Sequence, residues 1–310
     1  MTILRNIEYD MMNDVLFKYV FGANERKHIT IGFLNAVLNR EGANAIKDIE
    51  FHNVEFVPQR EEERSARIDI FAIIDDKESV DIEVQCMNYQ NMEKRSLFYW
   101  AHMFLHSKNS LKRARPFIDI KPAIAINILA YSFLPGENPL SKYTLHNEES
   151  MHKLTDVIQL YFLEVPKLIK HPAKDMNFLE RWLGFLSKKF TKEEKEAIAM
   201  EEPLIKDAMD AVELFMSDET SYRQYLARQS AIWDYNSDMT AYREKGRVEG
   251  IKKGRAEGIK KGRAEGREEG ENKLLRLIDA LYNVGRQDDI AKLYADKNLR
   301  EKLYKEFNID

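Results

Sequence analysis

The chain reads as an α/β protein: a mixed β-sheet core flanked by helices, with an α-helical C-terminal extension. Three observations predict this class. Residues 67–85 alternate apolar and polar with a period of two on both sides of a polar turn, as a β-hairpin does. Residues 122–134, Pro-Ala-Ile-Ala-Ile-Asn-Ile-Leu-Ala-Tyr-Ser-Phe-Leu, form an apolar run of the kind found in a buried central strand. From Asn177 onward the apolar spacing is helical and stays so.

Taken in order, residues 10–22 predict a helix with Leu16, Phe17, Val20 and Phe21 inward and Gly22 as its stop. A second helix is expected over 26–40, using Ile29, Phe33, Leu34, Val37 and Leu38. Ile46–Val57 is β-like and Pro58 ends it. The hairpin follows a charged approach, Gln59–Arg64. Its even positions Ile68, Ile70, Ala72, Ile74, Val80, Ile82 and Val84 are apolar. Its odd positions Arg67, Asp69, Ser79, Asp81, Glu83 and Gln85 are polar, with Phe71 and Ile73 as exceptions. This is the pattern of a half-buried ribbon. Asn91–Lys108 has helical spacing, and Tyr143–His146 and Val157–Glu164 are further strands. The expected division is a core over 1–175, a helical extension over 176–242, a Gly/charge repeat helix or spacer over 243–271 and a small helical cap over 272–310.

Composition narrows the possibilities. At 310 residues the chain can bury one sizeable core plus an accessory region. An apolar fraction of 44% suits a globular interior, while 32% charged residues exceeds the average. The net charge of −4 excludes a global attraction to nucleic acid, so such a partner must be held by local basic patches or through metal. One cysteine, Cys86, rules out an intrachain disulfide. The first residues lack the apolar stretch of a secretory signal, and no apolar run reaches the ~18 residues of a membrane span. A cytoplasmic protein with no membrane partner is expected.

Residues 246–270 repeat every eight positions, with glycine at every fourth. On a helix the adjacent lane runs Lys245, Glu249, Lys253, Glu257, Lys261, Glu265, alternating in sign at i,i+4. Each such pair contributes about 0.2–0.5 kcal/mol, whereas each glycine costs about 0.8–1.0 kcal/mol relative to alanine. Seven glycines outweigh the ladder. The segment is therefore expected to be a solvated, semi-flexible spacer unless it is packed or continuous with its neighbours. Beyond it, Leu274, Leu275, Ile278, Leu281, Ile290, Leu293, Tyr294, Leu299, Leu303, Tyr304 and Phe307 predict short amphipathic helices, a cap that could support a homo-oligomer.

Chemistry concentrates on the hairpin. Centring its turn on Asp76 sets Asp69 opposite Glu83 and Arg67 opposite Gln85, and directly opposed Cβ atoms lie roughly 4.5–5.5 Å apart. Two carboxylates at that spacing repel unless a cation sits between them. Mg2+ takes one or two carboxylates together with waters and phosphate oxygens. Gln85 emerges on the same face and can orient a metal-bound water, but it carries no charge and exchanges no proton. Both acids are expected at the rim of the sheet. Alternation alone is better explained as a solvated amphipathic ribbon whose polar face does nothing. Together with Glu-x-Gln and the flanking helix motifs, a metal site is the stronger reading. On the following helix, Arg95, Tyr99, His102 and His106 form one stripe, with Phe98, Ala101, Phe104 and Leu105 on the other side. Arg95 can grip phosphate with two parallel hydrogen bonds. The two histidines have metal spacing but no third ligand and read as interfacial. Lys112, Arg113 and Arg115 make the densest basic stretch, a candidate phosphate contact.

Four segments carry a resemblance: Asn13-Asp14-Val-Leu-Phe-Lys18-Tyr-Val-Phe-Gly22, Arg67-Ile-Asp69-Ile, Asp81-Ile-Glu83-Val-Gln85 and Lys94-Arg95-x3-Tyr99. Over about residues 8–180 the chain resembles the PD-(D/E)XK nuclease family transposases, also called the Rpn family of recombination-promoting nucleases. The resemblance implies a restriction-endonuclease-like core and Mg2+-dependent cleavage of DNA, with Mn2+ substituting. It makes Asp69 and Glu83 the metal-binding acids and puts Gln85 where the wider superfamily has lysine, which leaves the proton-handling step unassigned. Asp14 would correspond to a helical acid that some members add to the metal shell. No proline precedes Asp69, so the acids alone carry that part of the match. The rival readings are a catalytically silent nucleic-acid-binding or assembly protein that keeps the fold, and a nuclease acting on RNA.

Overall fold

The computed structural model describes residues 8–52, 55–56, 66–67, 69–108 and 120–309, and for 55–56, 66–67 and 106–108 it describes the backbone. The chain forms two compact units, Met1–Asn236 and Ser237–Asp310. The first holds a six-stranded sheet in the order β1-β4-β5-β6-β8-β7. Its strands are β1 (Ile49–His52), β4 (Ile70–Ile74), β5 (Glu78–Gln85), β6 (Ala123–Leu129), β7 (Leu140–His146) and β8 (Lys153–Glu164). A separate short pair joins β2 (Glu55–Phe56) to β3 (Ala66–Arg67). The strands β1, β4 and β5 are antiparallel, β5, β6 and β8 run parallel, and β7 returns antiparallel on the edge. The sheet is mixed, as the sequence predicts.

Hairpin register follows the side-chain alternation. Ile70 pairs with Ile82 and Ile74 with Glu78, a register centred on residue 76. The turn works because Asp75 and Asp76 both take positive φ, 47° and 57°. That left-handed pair matches the twist of the flanking strands, and the Asp75 carboxylate accepts the N–H groups of Lys47 and Asp48. The even face of the hairpin enters the main core with α1 (Asp14–Phe21), α2 (Lys27–Leu38) and α4 (Phe178–Leu186). The odd face is not solvated, contrary to the half-buried expectation. It lies under α3 (Met92–Lys108), where Phe71 packs with Tyr99, Met103 and Ala123. Phe71 and Ile73 break the alternation because they face a second apolar layer. Every residue of β6 is buried, since helices cover both of its faces.

Several bounds differ from expectation. The β-like stretch 46–57 resolves into β1 and β2, with Pro58 outside the described residues. The strands β7 and β8 both begin earlier than expected: Leu140, Ser141 and Lys142 pair with the buried end of β8 at Leu163, Phe162 and Tyr161, and the polar start of β8, Lys153 and Thr155, pairs with His146 and Leu145. Helices α4, α5 (Lys192–Glu201) and α6 (Pro203–Ser217) have no core of their own. Trp182, Phe185, Ile198, Ile205 and Phe215 belong to the same cluster as Phe17, Phe21 and Phe33.

Helix α7 (Glu219–Asn283) begins in the first unit and continues into the second. The repeat is helical and exposed within it. Its continuity has a physical basis, because Tyr225 and Ile232 are buried upstream and Leu277 and Leu281 downstream. Nucleation, the costly step of helix formation, is thus supplied at both ends. Leu277 and Leu281 pack with Leu293 and Leu303, around α8 (Gln287–Ile290) and α9 (Lys297–Glu306).

Candidate active site

The site is built where the hairpin leaves its turn farthest behind. Asp69 lies just before β4, and the register carried on from Ile70–Ile82 sets it opposite Glu83. The two acids interlock through backbone. The Asp69 N–H donates to Glu83 Oε1 at 3.0 Å, and the Val84 N–H donates to Asp69 Oδ2 at 3.0 Å. Gln85 completes the row, its amide Nε2 donating to Glu83 Oε2 at 3.1 Å. The guanidinium of Arg95 approaches from α3, with Nη2 3.8 Å from Glu83 Oε2, and lies over the Tyr99 ring at 5.2 Å. Asp69, Glu83, Gln85 and Arg95 are therefore brought together.

Placement of the acids differs from expectation. Glu83 does not sit at an exposed rim, because β5 is an interior strand and Glu83 is 1% exposed, whereas Asp69, just before β4, is partly buried. Asp81, two residues back on the same face, is equally buried, and its Oδ1 has no hydrogen-bond partner. Burial holds the carboxyl of Asp69 up at about 6, with the Asp14 charge adding to the effect. Glu83 and Asp81 are pushed well above the ordinary carboxylate range, first by burial and then by like charge, from Asp81 and Asp69 on Glu83 and from Asp69 on Asp81. Arg95 opposes all three shifts but is one cation among several acids.

Asp14 opens α1 and acts on Asp69 as a like charge, yet its own carboxylate accepts a 2.7 Å bond from Arg228 Nε on α7. Among the described residues no three His, Cys, Asp or Glu side chains are arranged to hold a metal ion. The donor set is accordingly a carboxylate pair. That pair fits a hard divalent cation, which takes one or two carboxylates and completes its octahedron with water and phosphate oxygens. The orphaned Oδ1 of Asp81 and the raised acids mark a place short of positive charge. Arg95 Nε, also buried without a partner, marks a need for an anion.

Lys112, Arg113 and Arg115 lie outside the described residues, as does the side chain of His106. On α3 the other side of the helix, Leu97, Phe98 and Leu105, faces outward, while Tyr99 and Met103 cover the sheet. Three site neighbours escaped sequence reasoning. Asp81 looked like another solvent-facing acid. Asn127 stands beside Glu83 in the β5–β6 register, its amide donating to the Tyr161 carbonyl; one polar residue in an apolar run was the available signal. Arg228 had none, lying 214 residues from its partner.

No helix among the described residues is long and apolar enough to cross a membrane. No curated protein and no solved structure matches the chain. The family model for PD-(D/E)XK nuclease family transposases matches residues 11–241, which takes in the sheet, the helices on both of its faces and the acid pair. Nucleases of this superfamily generally use divalent metals. With an opposed Asp and Glu on a central hairpin, a mixed sheet between helices and a match over most of its length, this chain belongs to the PD-(D/E)XK nuclease family transposases.

Proposed function

We propose that the chain is a Mg2+-dependent endonuclease that hydrolyses phosphodiester bonds in DNA, with a role in recombination or transposition. The observation that carries this reading is the interlocked pair Asp69–Glu83, flanked by unpartnered polar atoms of both signs, Asp81 Oδ1 and Arg95 Nε. Acids and a guanidinium brought together in largely buried surroundings suit a cation and a phosphate together. Bound there, Mg2+ or Mn2+ would polarise a phosphoryl oxygen and lower the pKa of a water it holds.

The chain's own residues do the rest. Asp69 and Glu83 hold the cation, fixed by the backbone N–H groups that each accepts. Gln85 steadies Glu83 with its amide N–H, and its amide oxygen remains as an acceptor to orient the nucleophilic water. Arg95 stabilises charge that develops on the phosphoryl group, where a guanidinium in low-dielectric surroundings acts most strongly. Plasmid cleavage with Mg2+ or Mn2+ tests the reading, with an RNA of matching length as the alternative substrate. Wild type should cut the DNA and Asp69→Ala should lose at least about a hundredfold in rate, with circular dichroism confirming that the variant folds. Equal rates in the two proteins would end the catalytic assignment.

A second reading, a silent nucleic-acid-binding protein, is favoured by one observation. Gln85 donates an amide N–H to Glu83 and, being neutral, brings no cation to the site. Calorimetric titration with Mn2+ separates the two, because an intact site binds the ion and Glu83→Gln abolishes that binding.

A further inference from the structure

We infer that Lys18 is a phosphate-contacting residue of the same site, a cation supplied from α1 on the face of the sheet opposite Arg95. The inference rests on the nuclease reading and names a group that reading leaves out. Arg95 descends from α3, which covers the odd face of the hairpin. Helix α1 packs on the even face, where Leu16, Phe17, Val20 and Phe21 enter the main core with Ile70, Ile82 and Val84. Lys18 points elsewhere from that helix and is partly buried.

Gly22 fixes where the lysine stem runs. A Cβ at Gly22 would lie 3.4 Å from Lys18 Cγ and 3.6 Å from Ile70 Cγ1. Both side chains therefore pack over the same bare glycine, and Ile70 is the residue after Asp69. The ammonium charge also acts on Asp69, opposing the rise that burial causes. Two cations thus act on Asp69, Lys18 from α1 and Arg95 from α3.

Lys18 is left available by its neighbours. The acid one turn before it on α1, Asp14, is taken by Arg228 at 2.7 Å. Among the described residues Lys18 makes no ion pair and no side-chain hydrogen bond. A partly buried ammonium beside a cation-binding acid, with no partner of its own, is placed to meet an anion that arrives with the metal. A phosphodiester is such an anion, and lysine binds phosphate as a point charge. Gln85, being neutral, cannot contribute this charge.

The test uses the full chain in Ca2+, with a fluorescein-labelled DNA duplex whose integrity is checked on a gel. Anisotropy titrations across a KCl series give the slope of log affinity against log salt. Loss of one phosphate contact lowers that slope by about 0.9. We expect K18M to show this loss, a fivefold or greater drop in affinity and at least a tenfold drop in Mg2+-dependent cleavage, while K18R keeps the wild-type slope. K18Q serves as a second neutral variant, and the thermal midpoint of each is measured alongside. Wild-type slope and cleavage in K18M or K18Q would overturn the inference and leave the nuclease reading standing. A loss shared by K18R, accompanied by a lowered midpoint, would also overturn it in favour of packing. A wild-type protein that neither binds nor cuts the duplex would remove both.

Discussion

Glu83 and Lys195 are both ionisable groups in dry surroundings, but they are treated differently. Glu83 accepts two hydrogen bonds and faces Arg95. Lys195, on α5, is 7% exposed and has the Tyr9 ring 5.2 Å from its ammonium. Burial lowers its pKa from 10.5 to about 8, partly offset by attraction to Asp10, whose carboxylate is already paired with Lys188. The folded-state value lies below the unfolded one, so the contribution to stability is present above pH 10.5 and lost as pH falls through about 8. At pH 7 the protein holds a charge that its interior disfavours by on the order of 3 kcal/mol. Lys195→Met should raise the thermal midpoint at pH 7 by several degrees, about 2–4 °C per kcal/mol recovered. The gain should shrink toward pH 10. Calorimetric melts across that range would show it; a gain independent of pH would assign the effect to packing instead.

At the level of elements, the seven repeat glycines offer a clean measurement. A Cβ at any of them meets nothing within 4 Å, so alanine there adds helix propensity without a clash. Gly254→Ala with Gly262→Ala should stabilise α7 by about 0.8–1.0 kcal/mol each, seen as a higher helical melting midpoint at 222 nm. An unchanged or lower midpoint would mean that the glycines do more than weaken the helix. The contrast with Gly22 and Gly32 is direct, because a Cβ on Gly22 would sit 2.7 Å from the Lys18 carbonyl oxygen and one on Gly32 2.3 Å from Leu204 Cδ1. The hairpin was the most legible element, since a period of two and a polar turn together leave one register for Asp69 and Glu83. What lay over its odd face was not legible. Helix α3 buries Tyr99 and Met103 and exposes Leu97, Phe98 and Leu105, so its apolar residues do not mark one inward side. The depth of Asp81 and Glu83 was hidden for that reason. Continuity of α7 was likewise concealed, because local propensity counts glycines and says nothing of anchors at Ile232 and Leu277.

For the whole molecule, the proposed cation at the acid pair would link folding to ion binding. A ligand held by the folded state alone stabilises it by about 2.7 kcal/mol at a hundred times its dissociation constant. Mg2+ or Mn2+ should therefore raise the thermal midpoint of the full chain by several degrees. Glu83→Gln should abolish that shift, while neutralising the distant Lys195 should leave it intact. A shift that survives Glu83→Gln would place the ion elsewhere. With a net charge of −4, the DNA binding proposed above would have to run through local cations, so affinity should fall steeply as KCl is raised.

The eight-residue period within α7 carries a last consequence. A helix advances about 1.5 Å and turns about 100° per residue, so one repeat unit spans about 12 Å and leaves a net rotation of about 80°. Strand slippage during copying of such a tandem stretch would insert or delete whole units and keep both the reading frame and the charge pattern. Length variants arising this way would lengthen or shorten α7 in fixed increments of about 12 Å, with its i,i+4 charge pairs kept, while the hairpin carrying the acids stayed untouched.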